Sequence, residues 1–213
     1  MPAFNSCCRK ASLCHKSAGT SPIPVLVPGW HGSGPAHWQA IWRAEHSDWP
    51  WVEQSDWETP DCGQWIDRLD RVVEDCPGSV MIVAHSLGCL AFAHWASFAR
   101  ERVRLKVEGA FLVAPADVER ENSPEEIRGF SPAPKCRMPV PTMVIASEND
   151  PCITFSQARR LAVLWKSILV NAGAAGHINV ASGHGPWPMG MTLLRGFIRD
   201  LAAPVLETSR KGC

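Results

Sequence analysis

Val80-Met-Ile-Val-Ala-His-Ser86-Leu-Gly88 is the most informative segment of the chain, because an apolar run ends in a serine between small residues and an apolar segment follows. This order predicts a buried strand, a sharp turn and a helix. A serine at such a turn becomes a good nucleophile when a base takes its proton and donors receive the oxyanion. Ala84 stands where the usual Gly-x-Ser-x-Gly pattern has its first glycine. On this motif alone, a serine that merely caps a buried helix remains an alternative.

A serine turn of this type predicts an acidic residue after a later strand. Residues 141–146 are predicted to form a buried strand, and Ser147-Glu-Asn-Asp150-Pro151 follows it. Two acids compete here, Glu148 and Asp150. We favour Asp150, because a residue before proline is restricted to extended geometry and this suits a carboxylate with one orientation.

The same pattern predicts a histidine after a still later strand. Residues 167–170 are predicted to form a short strand, and a loop of small residues then leads to His177. We therefore predict that His177 is the general base. The alternative is His184, which lies further from the end of the strand, in a looser turn between two glycines.

A loop after the first predicted strand is the candidate oxyanion hole. In this architecture one donor is the backbone N–H after the nucleophile, here Leu87, and the other comes from the loop after an early strand. That loop is Pro28-Gly-Trp-His-Gly-Ser-Gly34, whose glycines allow the backbone to approach a substrate closely. The Trp30 N–H is the predicted second donor, and the His31 N–H is the alternative.

The chain is predicted to form one α/β domain over residues 22–203, with a mostly parallel sheet of about five to seven strands and helices on both faces. The predicted strands are 23–28, 51–54, the strand before Ser86, 108–114, 141–146 and 167–170. Four helices are predicted, of which two span residues 35–45 and 87–100. Another starts at 59–61 and has the buried stripe Trp65, Leu69, Val72 and Val73. The last is marked by the apolar residues Leu193, Leu194, Phe197, Ile198 and Leu201. The 114–141 connection is short and rich in proline and charge, so no large cap domain is expected.

Composition excludes several classes of function. The 213 residues include 21 basic and 21 acidic side chains, which argues against nucleic-acid binding, and no segment is long and apolar enough to span a membrane. Nine cysteines without a regular framework are interpreted as reduced thiols of a cytoplasmic protein. The histidines and cysteines show no metal-ligand spacing, so neither a metal nor a cofactor is expected. Residues 1–21 are predicted to be a disordered leader and 204–213 a frayed tail.

Five segments carry a resemblance to a known family: VPGWHGSGPAHWQ at 27–39, VAHSLGC at 83–89, LVAPAD at 112–117, ASENDP at 146–151 and GHINVASGHGPWP at 176–188. The chain resembles the small serine hydrolases of the retinoblastoma-binding-protein-9-like (YdeN-like) family, over roughly residues 23–200. The resemblance implies the α/β-hydrolase fold and places the family's nucleophile, acid and histidine on Ser86, Asp150 and His177. The chain departs from the family at Cys152, where an aromatic residue is frequent, and at Met189, where a glutamate is frequent.

The predicted function is hydrolysis of small acyl esters, or amides, through a Ser-His-Asp triad and an acyl-enzyme. The predicted partner is a small acyl substrate, and the oligomeric state is not predicted. Trp30 and Trp187, each beside a glycine or proline loop, are candidates for lining the acyl pocket, together with His31. The alternatives are a non-catalytic interaction protein on the same scaffold, an acyltransferase, and a lyase that forms no stable acyl-enzyme.

Overall fold

The structure is a computed structural model that describes residues 21–203. The strands are β1 (Ile23–Val27), β2 (Val80–His85), β3 (Val107–Val113), β4 (Thr142–Ala146) and β5 (Ile168–Asn171). The helices are α1 (Trp38–Glu45), α2 (Cys62–Asp75), α3 (Leu87–Phe98), α4 (Glu101–Arg104), α5 (Phe155–Trp165) and α6 (Pro188–Ala202), with 3-10 helices at Glu125–Phe130 and Val180–Ser182. The predicted tail and all but the last residue of the predicted leader lie outside the described residues.

The five strands form one parallel sheet in the order β1-β2-β3-β4-β5. This confirms the predicted fold class of a single α/β domain. The predicted strand at 51–54 is wrong as a strand, since only Trp51 pairs with the sheet, through one bridge to Leu26. All strands of a parallel sheet run in the same direction, so the loops that follow β1, β2, β4 and β5 lie together at the carboxyl ends of the strands.

Alternation along each strand divides the core into two layers. Val25 and Val27 of β1 pack into the layer that contains α2, α3 and α5, whereas Leu26 packs into the layer that contains α1 and α6. Successive strand side chains point to opposite faces of a sheet, and a sheet covered on both faces therefore has continuous apolar strands. The strand β2 shows this pattern directly, because all six of its residues are buried.

Several helix limits differ from the prediction. The first helix begins at Trp38 and not at residue 35, because the His37 side chain accepts a hydrogen bond from the Gln39 N–H and so caps the helix there. The helix after Ser86 ends at Phe98, and the short α4 follows it. In α2 the predicted stripe is buried except at Val72, which is only partly buried.

Two glycines allow the loop after β1 to lie against the turn at Ser86. A Cβ on Gly88 would lie 2.5 Å from the carbonyl oxygens of both Val27 and Pro28, and a Cβ on Gly29 would lie 2.7 Å from the Ser86 Cβ. Neither position has room for a side chain without a shift of backbone. The close approach places the predicted oxyanion loop beside the predicted nucleophile.

The connection from β3 to β4 contains one 3-10 helix, Glu125–Phe130, whose Ile127 and Phe130 are buried. This short element forms part of the protein body, and the connection between β3 and β4 contains no separate cap domain. None of the helices within residues 21–203 has the length and apolar character needed to cross a bilayer.

Candidate active site

Ser86 lies at the turn between β2 and α3 in a strained backbone conformation. Its φ is 53° and its ψ is −122°, a combination that non-glycine residues rarely adopt. The Ser86 N–H donates to the Val113 carbonyl oxygen at 3.0 Å, which attaches the turn to β3. The strain and the short turn lift the hydroxyl above the end of the sheet, as expected for a nucleophile elbow.

Ser86, His177 and Asp150 form one continuous line of hydrogen bonds. The His177 Nε2 lies 2.9 Å from the Ser86 Oγ, and its Nδ1 lies 2.9 Å and 3.0 Å from the two carboxylate oxygens of Asp150. The Asp150 side chain is fully buried and the His177 side chain is 10% exposed. The structure thus brings together the three side chains predicted from the strand ends, each with a partner at hydrogen-bond distance.

The loop after β4 places the Asp150 carboxylate against His177 and the Glu148 carboxylate against Asn171. The Cys152 N–H donates to the Asp150 Oδ1 at 2.7 Å, so that carboxylate oxygen accepts from the backbone as well as facing His177. Glu148 is exposed, and its Oε1 accepts a hydrogen bond from the Asn171 amide at 2.8 Å. Asp150 is therefore the acid that contacts the histidine.

Polar side chains of the same loop hold the segment before His177. The Asn149 Oδ1 accepts from the Gly176 N–H at 2.7 Å, and the Ser147 Oγ accepts from the Ala175 N–H at 2.9 Å. On the other side, the Trp38 indole N–H donates to the Ile178 carbonyl at 2.9 Å. These bonds restrict the histidine loop from both faces. Sequence reasoning missed this role of Ser147 and Asn149, although two polar residues directly after a buried strand could have indicated it.

His85 is a further residue of the site that sequence reasoning missed. It is buried at the end of β2, and its Nε2 lies 2.9 Å from the carbonyl oxygen of His177. Burial holds the pKa of His85 well below its usual value, so the ring is neutral and its Nε2–H donates to that carbonyl. The signal in the sequence was a histidine directly before the serine on an otherwise apolar strand.

The alternative histidine lies away from the serine. The His184 Nδ1 is 3.1 Å from the Ser182 Oγ, and the His184 N–H donates to the Asn179 carbonyl. His184 therefore belongs to the turn after the 3-10 helix Val180–Ser182, and it has no contact with Ser86 in the part of the chain that the structure describes.

The hydrogen bonds of the backbone near Ser86 distinguish the Trp30 N–H from the His31 N–H, the two candidates for the second oxyanion donor. The His31 N–H donates to the Trp57 carbonyl at 3.1 Å, so it is already paired. Within residues 21–203 the N–H groups of Trp30 and Leu87 have no such acceptor, and both residues line the pocket beside Ser86. Of the three candidates, Trp30 and Leu87 are therefore the ones whose N–H groups have no acceptor among residues 21–203, which keeps both as predicted oxyanion donors.

A small pocket of about 60 Å³ opens beside the Ser86 side chain. Its lining combines apolar and charged groups and consists of Trp30, Ser86, Leu87, Ala116, Asp117, Arg120, Pro124, Ile127 and Cys152. A much larger open cleft of about 1040 Å³ lies near His31, between α1 and the segment around Trp51, but Ser86 does not line it. Ser86 therefore faces the small pocket and not the large cleft.

Two predicted pocket residues are not at this pocket. Trp187 is buried between Trp38, Trp42 and Phe111, and it lines neither cavity described above. The indole fills the core under α6, where its ring lies against the position of Gly190. His31 lines the large cleft, with its ring 3.0 Å from the Glu58 carboxylate.

The His177 pKa reflects two opposing effects. Burial alone lowers it, but the hydrogen bonds and negative charge of Asp150, together with the contact of the Cys152 side chain, outweigh burial and raise the pKa to about 9. Cys152 therefore acts on the histidine together with Asp150. Its ligating atom and those of Asp150 and His177 all lie within 4.8 Å of one another.

A parallel sheet with helices on both faces and a strained serine between an interior strand and the helix that follows it defines the class of α/β-hydrolases. Within that class, the chain belongs to the serine hydrolase family, whose family model matches residues 24–196. This confirms the resemblance found in the sequence. A comparison with curated proteins gave no match.

Solved structures agree with this assignment. A protein of Pectobacterium atrosepticum described as a YdeN-like hydrolase is 34% identical, with a TM-score of 0.75 over 85% of this chain and 92% of that one. The ydeN gene product of B. subtilis is 19% identical, with a TM-score of 0.67 over 84% and 99%. Esterase 2 of Thermogutta terrifontis, 17% identical, has a TM-score of 0.60 over 85% and 82% and shares the fold.

Proposed function

We propose that this serine hydrolase cleaves small acyl esters through an acyl-enzyme on Ser86. The observation that carries the proposal is the unbroken line of contacts from the Ser86 Oγ through the His177 ring to the Asp150 carboxylate, each near 2.9 Å. A line of this kind gives a serine its base and gives that base its orientation. The strained turn at Ser86 supports the same assignment.

In the first half of the reaction, the Ser86 Oγ attacks the acyl carbonyl carbon and the His177 Nε2 takes the hydroxyl proton. The Asp150 carboxylate accepts from Nδ1–H, keeps Nε2 as the acceptor nitrogen and stabilises the imidazolium that forms. The negative charge on the substrate oxygen is received by the N–H groups of Leu87 and Trp30. The imidazolium then gives its proton to the departing alcohol.

In the second half, water attacks the acyl carbon of the ester on Ser86. His177 takes a proton from that water and returns it to the Ser86 oxygen as the acid is released. Every proton in this cycle moves through one nitrogen, the His177 Nε2. The proposed reaction therefore needs no group beyond the chain and water.

The size of the pocket favours a short acyl group. Sites for drug-sized ligands usually enclose roughly 300–1,000 Å³, whereas the pocket at Ser86 measures about 60 Å³. Pro124 and Ile127, from the β3–β4 connection, form part of its wall, and no large cap encloses the rest. We therefore propose that the acyl part is a few carbons long and that the alcohol part extends into solvent.

The hydrolysis rate should rise with pH well above neutrality. Because the His177 pKa is raised to about 9, the ring carries a proton at pH 7 and can act as a base only as the pH increases through that value. Measured kcat/KM should follow one ionisation near that pH. Cys152→Ala removes one of the groups that raise the pKa, so its profile should move to lower pH. Superimposable profiles for the two proteins would contradict this role of Cys152.

The proposed function is tested with a series of p-nitrophenyl esters of increasing acyl length and mass spectrometry of the intact protein. We expect kcat/KM to be highest for acetate to butyrate, to fall for longer chains, and the protein mass to increase by one acyl group during turnover. Hydrolysis without any acyl adduct in rapidly quenched samples, or no hydrolysis of any ester, would overturn the proposal. Transfer of the acyl group to added alcohol in preference to water would identify an acyltransferase.

A further inference from the structure

The structure places a cysteine thiol beside the proposed catalytic pair. Asp150, Cys152 and His177 each offer one ligand atom, and these three atoms lie within 4.8 Å of one another. The Cys152 N–H donates to the Asp150 Oδ1, so the tight turn at residues 150–152 brings the thiol and the carboxylate to one side of the histidine. Their separation in the sequence, with His177 25 residues after Cys152, is not a known metal spacing.

We propose that Asp150, Cys152 and His177 form an inhibitory binding site for a soft divalent cation of the Zn²⁺ type. Thiolate sulfur, imidazole nitrogen and carboxylate oxygen are the three ligand types that Zn²⁺ takes in proteins, and three protein ligands leave a fourth position for water. A thiolate in the set favours Zn²⁺ over Mg²⁺ or Ca²⁺, which prefer oxygen ligands alone. The inhibitory effect rests on the proposed function, but the binding of the metal does not.

An ion would reach the site from the pocket side, past Cys152, because the Asp150 side chain is fully buried and the His177 side chain is 10% exposed. Cys152 is half-buried and lines the pocket that opens beside Ser86. Bond lengths of about 2.0–2.3 Å to a tetrahedral Zn²⁺ bring its ligand atoms to roughly 3.3–3.8 Å from one another. The Asp150 and His177 atoms, at 2.9 Å, must separate slightly and the thiol must close on them. Rotation of the Cys152 side chain can supply this movement without a change in the strands.

Binding at the His177 Nδ1 would remove the base that hydrolysis needs. Nδ1 is the ring nitrogen that faces Asp150, and in the active form it carries the proton of the neutral ring. When the metal takes the Nδ1 lone pair, that proton moves to Nε2, and the Cys152 thiol loses its proton to solvent. The Nε2–H then donates to the Ser86 Oγ and can no longer accept its proton. No bond to carbon is made or broken, so removal of the metal restores the active form.

Binding is tested first with Co²⁺ as a spectroscopic probe, because a cobalt–thiolate bond gives a charge-transfer absorption. The full chain has eight other cysteines, so the informative spectrum is the difference between wild type and Cys152→Ala. Cys136→Ala is the matched control, since Cys136 is an exposed cysteine whose Sγ contacts the Ser97 hydroxyl and none of the three proposed ligands. We expect the thiolate band to fall in Cys152→Ala, to persist in Cys136→Ala, and to persist also in Ser86→Ala. Equal bands in wild type and Cys152→Ala would overturn the proposed site.

Inhibition is tested by the rate at which a fluorophosphonate labels Ser86 in the presence of increasing Zn²⁺, with each variant normalised to its own metal-free rate. Loss of a residue that only supports a metal ligand typically lowers affinity about 10- to 100-fold. Cys152 is proposed as a direct ligand, so the inhibiting concentration should rise at least that much in Cys152→Ala but not in Cys136→Ala. A chelator should restore labelling of the wild type. Inhibition that is equal in all three proteins would refute the role of Cys152. Failure of the metal-free wild type to label would instead count against the proposed function, and the cobalt spectra would still decide the site.

Discussion

Replacing Ser86 by alanine should abolish fluorophosphonate labelling and lower ester turnover by about 10⁶-fold, the loss that follows removal of the nucleophile from a triad. The hydroxyl is the atom that forms the acyl bond, and no other hydroxyl lies at 2.9 Å from the His177 Nε2 among the described residues. The remaining donors, the N–H groups of Leu87 and Trp30, can still polarise a carbonyl, which leaves only weak residual catalysis. Labelling and turnover are measured on the same preparations.

The matched control for this substitution is Ser55→Ala. Ser55 is exposed and its hydroxyl donates to Gln64, away from the pocket, so labelling and turnover should remain at the wild-type level. Far-ultraviolet circular dichroism and thermal unfolding must show that Ser86→Ala is folded. If folded Ser86→Ala still labels at the wild-type rate, Ser86 is not the nucleophile.

Asp150→Asn should reduce kcat by about 10⁴-fold while leaving the structure intact. The amide is almost the same size as the carboxylate, but its NH₂ can donate to Nδ1 and stabilise the tautomer in which Nε2 carries the proton. That tautomer cannot accept the proton of Ser86. The substitution also removes the negative charge that raises the His177 pKa, so the small residual activity should reach its plateau at a lower pH than in wild type.

Glu148→Gln is the matched control for the acid. Glu148 lies two residues earlier in the same loop and contacts Asn171, not the histidine. Its substitution should change kcat by less than about twofold, as expected for a surface change away from the reacting groups. Comparable losses in Asp150→Asn and Glu148→Gln would show that the effect comes from the loop as a whole and not from the carboxylate at Nδ1.

Much of the candidate site could be predicted because it lies at strand ends. The carboxyl ends of parallel strands meet at one edge of the sheet, and side chains directly after β2, β4 and β5 must therefore lie near one another. Ser86, Asp150 and His177 are such residues, and the structure brings them within hydrogen-bond distance. Their catalytic roles remain predictions that the substitutions above test.

Other parts of the site could not be read from the chain. The sequence does not show which way Trp187 faces, because a tryptophan beside a loop can face either the pocket or the core. The structure packs it against Trp38 and Trp42. The choice between the N–H groups of Trp30 and His31 depended on a single hydrogen bond from His31 to Trp57, which lies 26 residues away in the sequence. Contacts between residues that are far apart in the chain produce no periodic pattern in the sequence.

The sequence by itself determined the alternation of strands and helices, the serine turn and the order of acid and histidine, because these depend on local apolar patterns and on residues next to strand ends. Long-range packing sets which backbone N–H groups are free, the hydrogen bond from His85 to the carbonyl of His177, and the position of Cys152 beside His177. Those features depend on distances between segments that are far apart in the chain. Such distances are set only when the two core layers pack against the sheet.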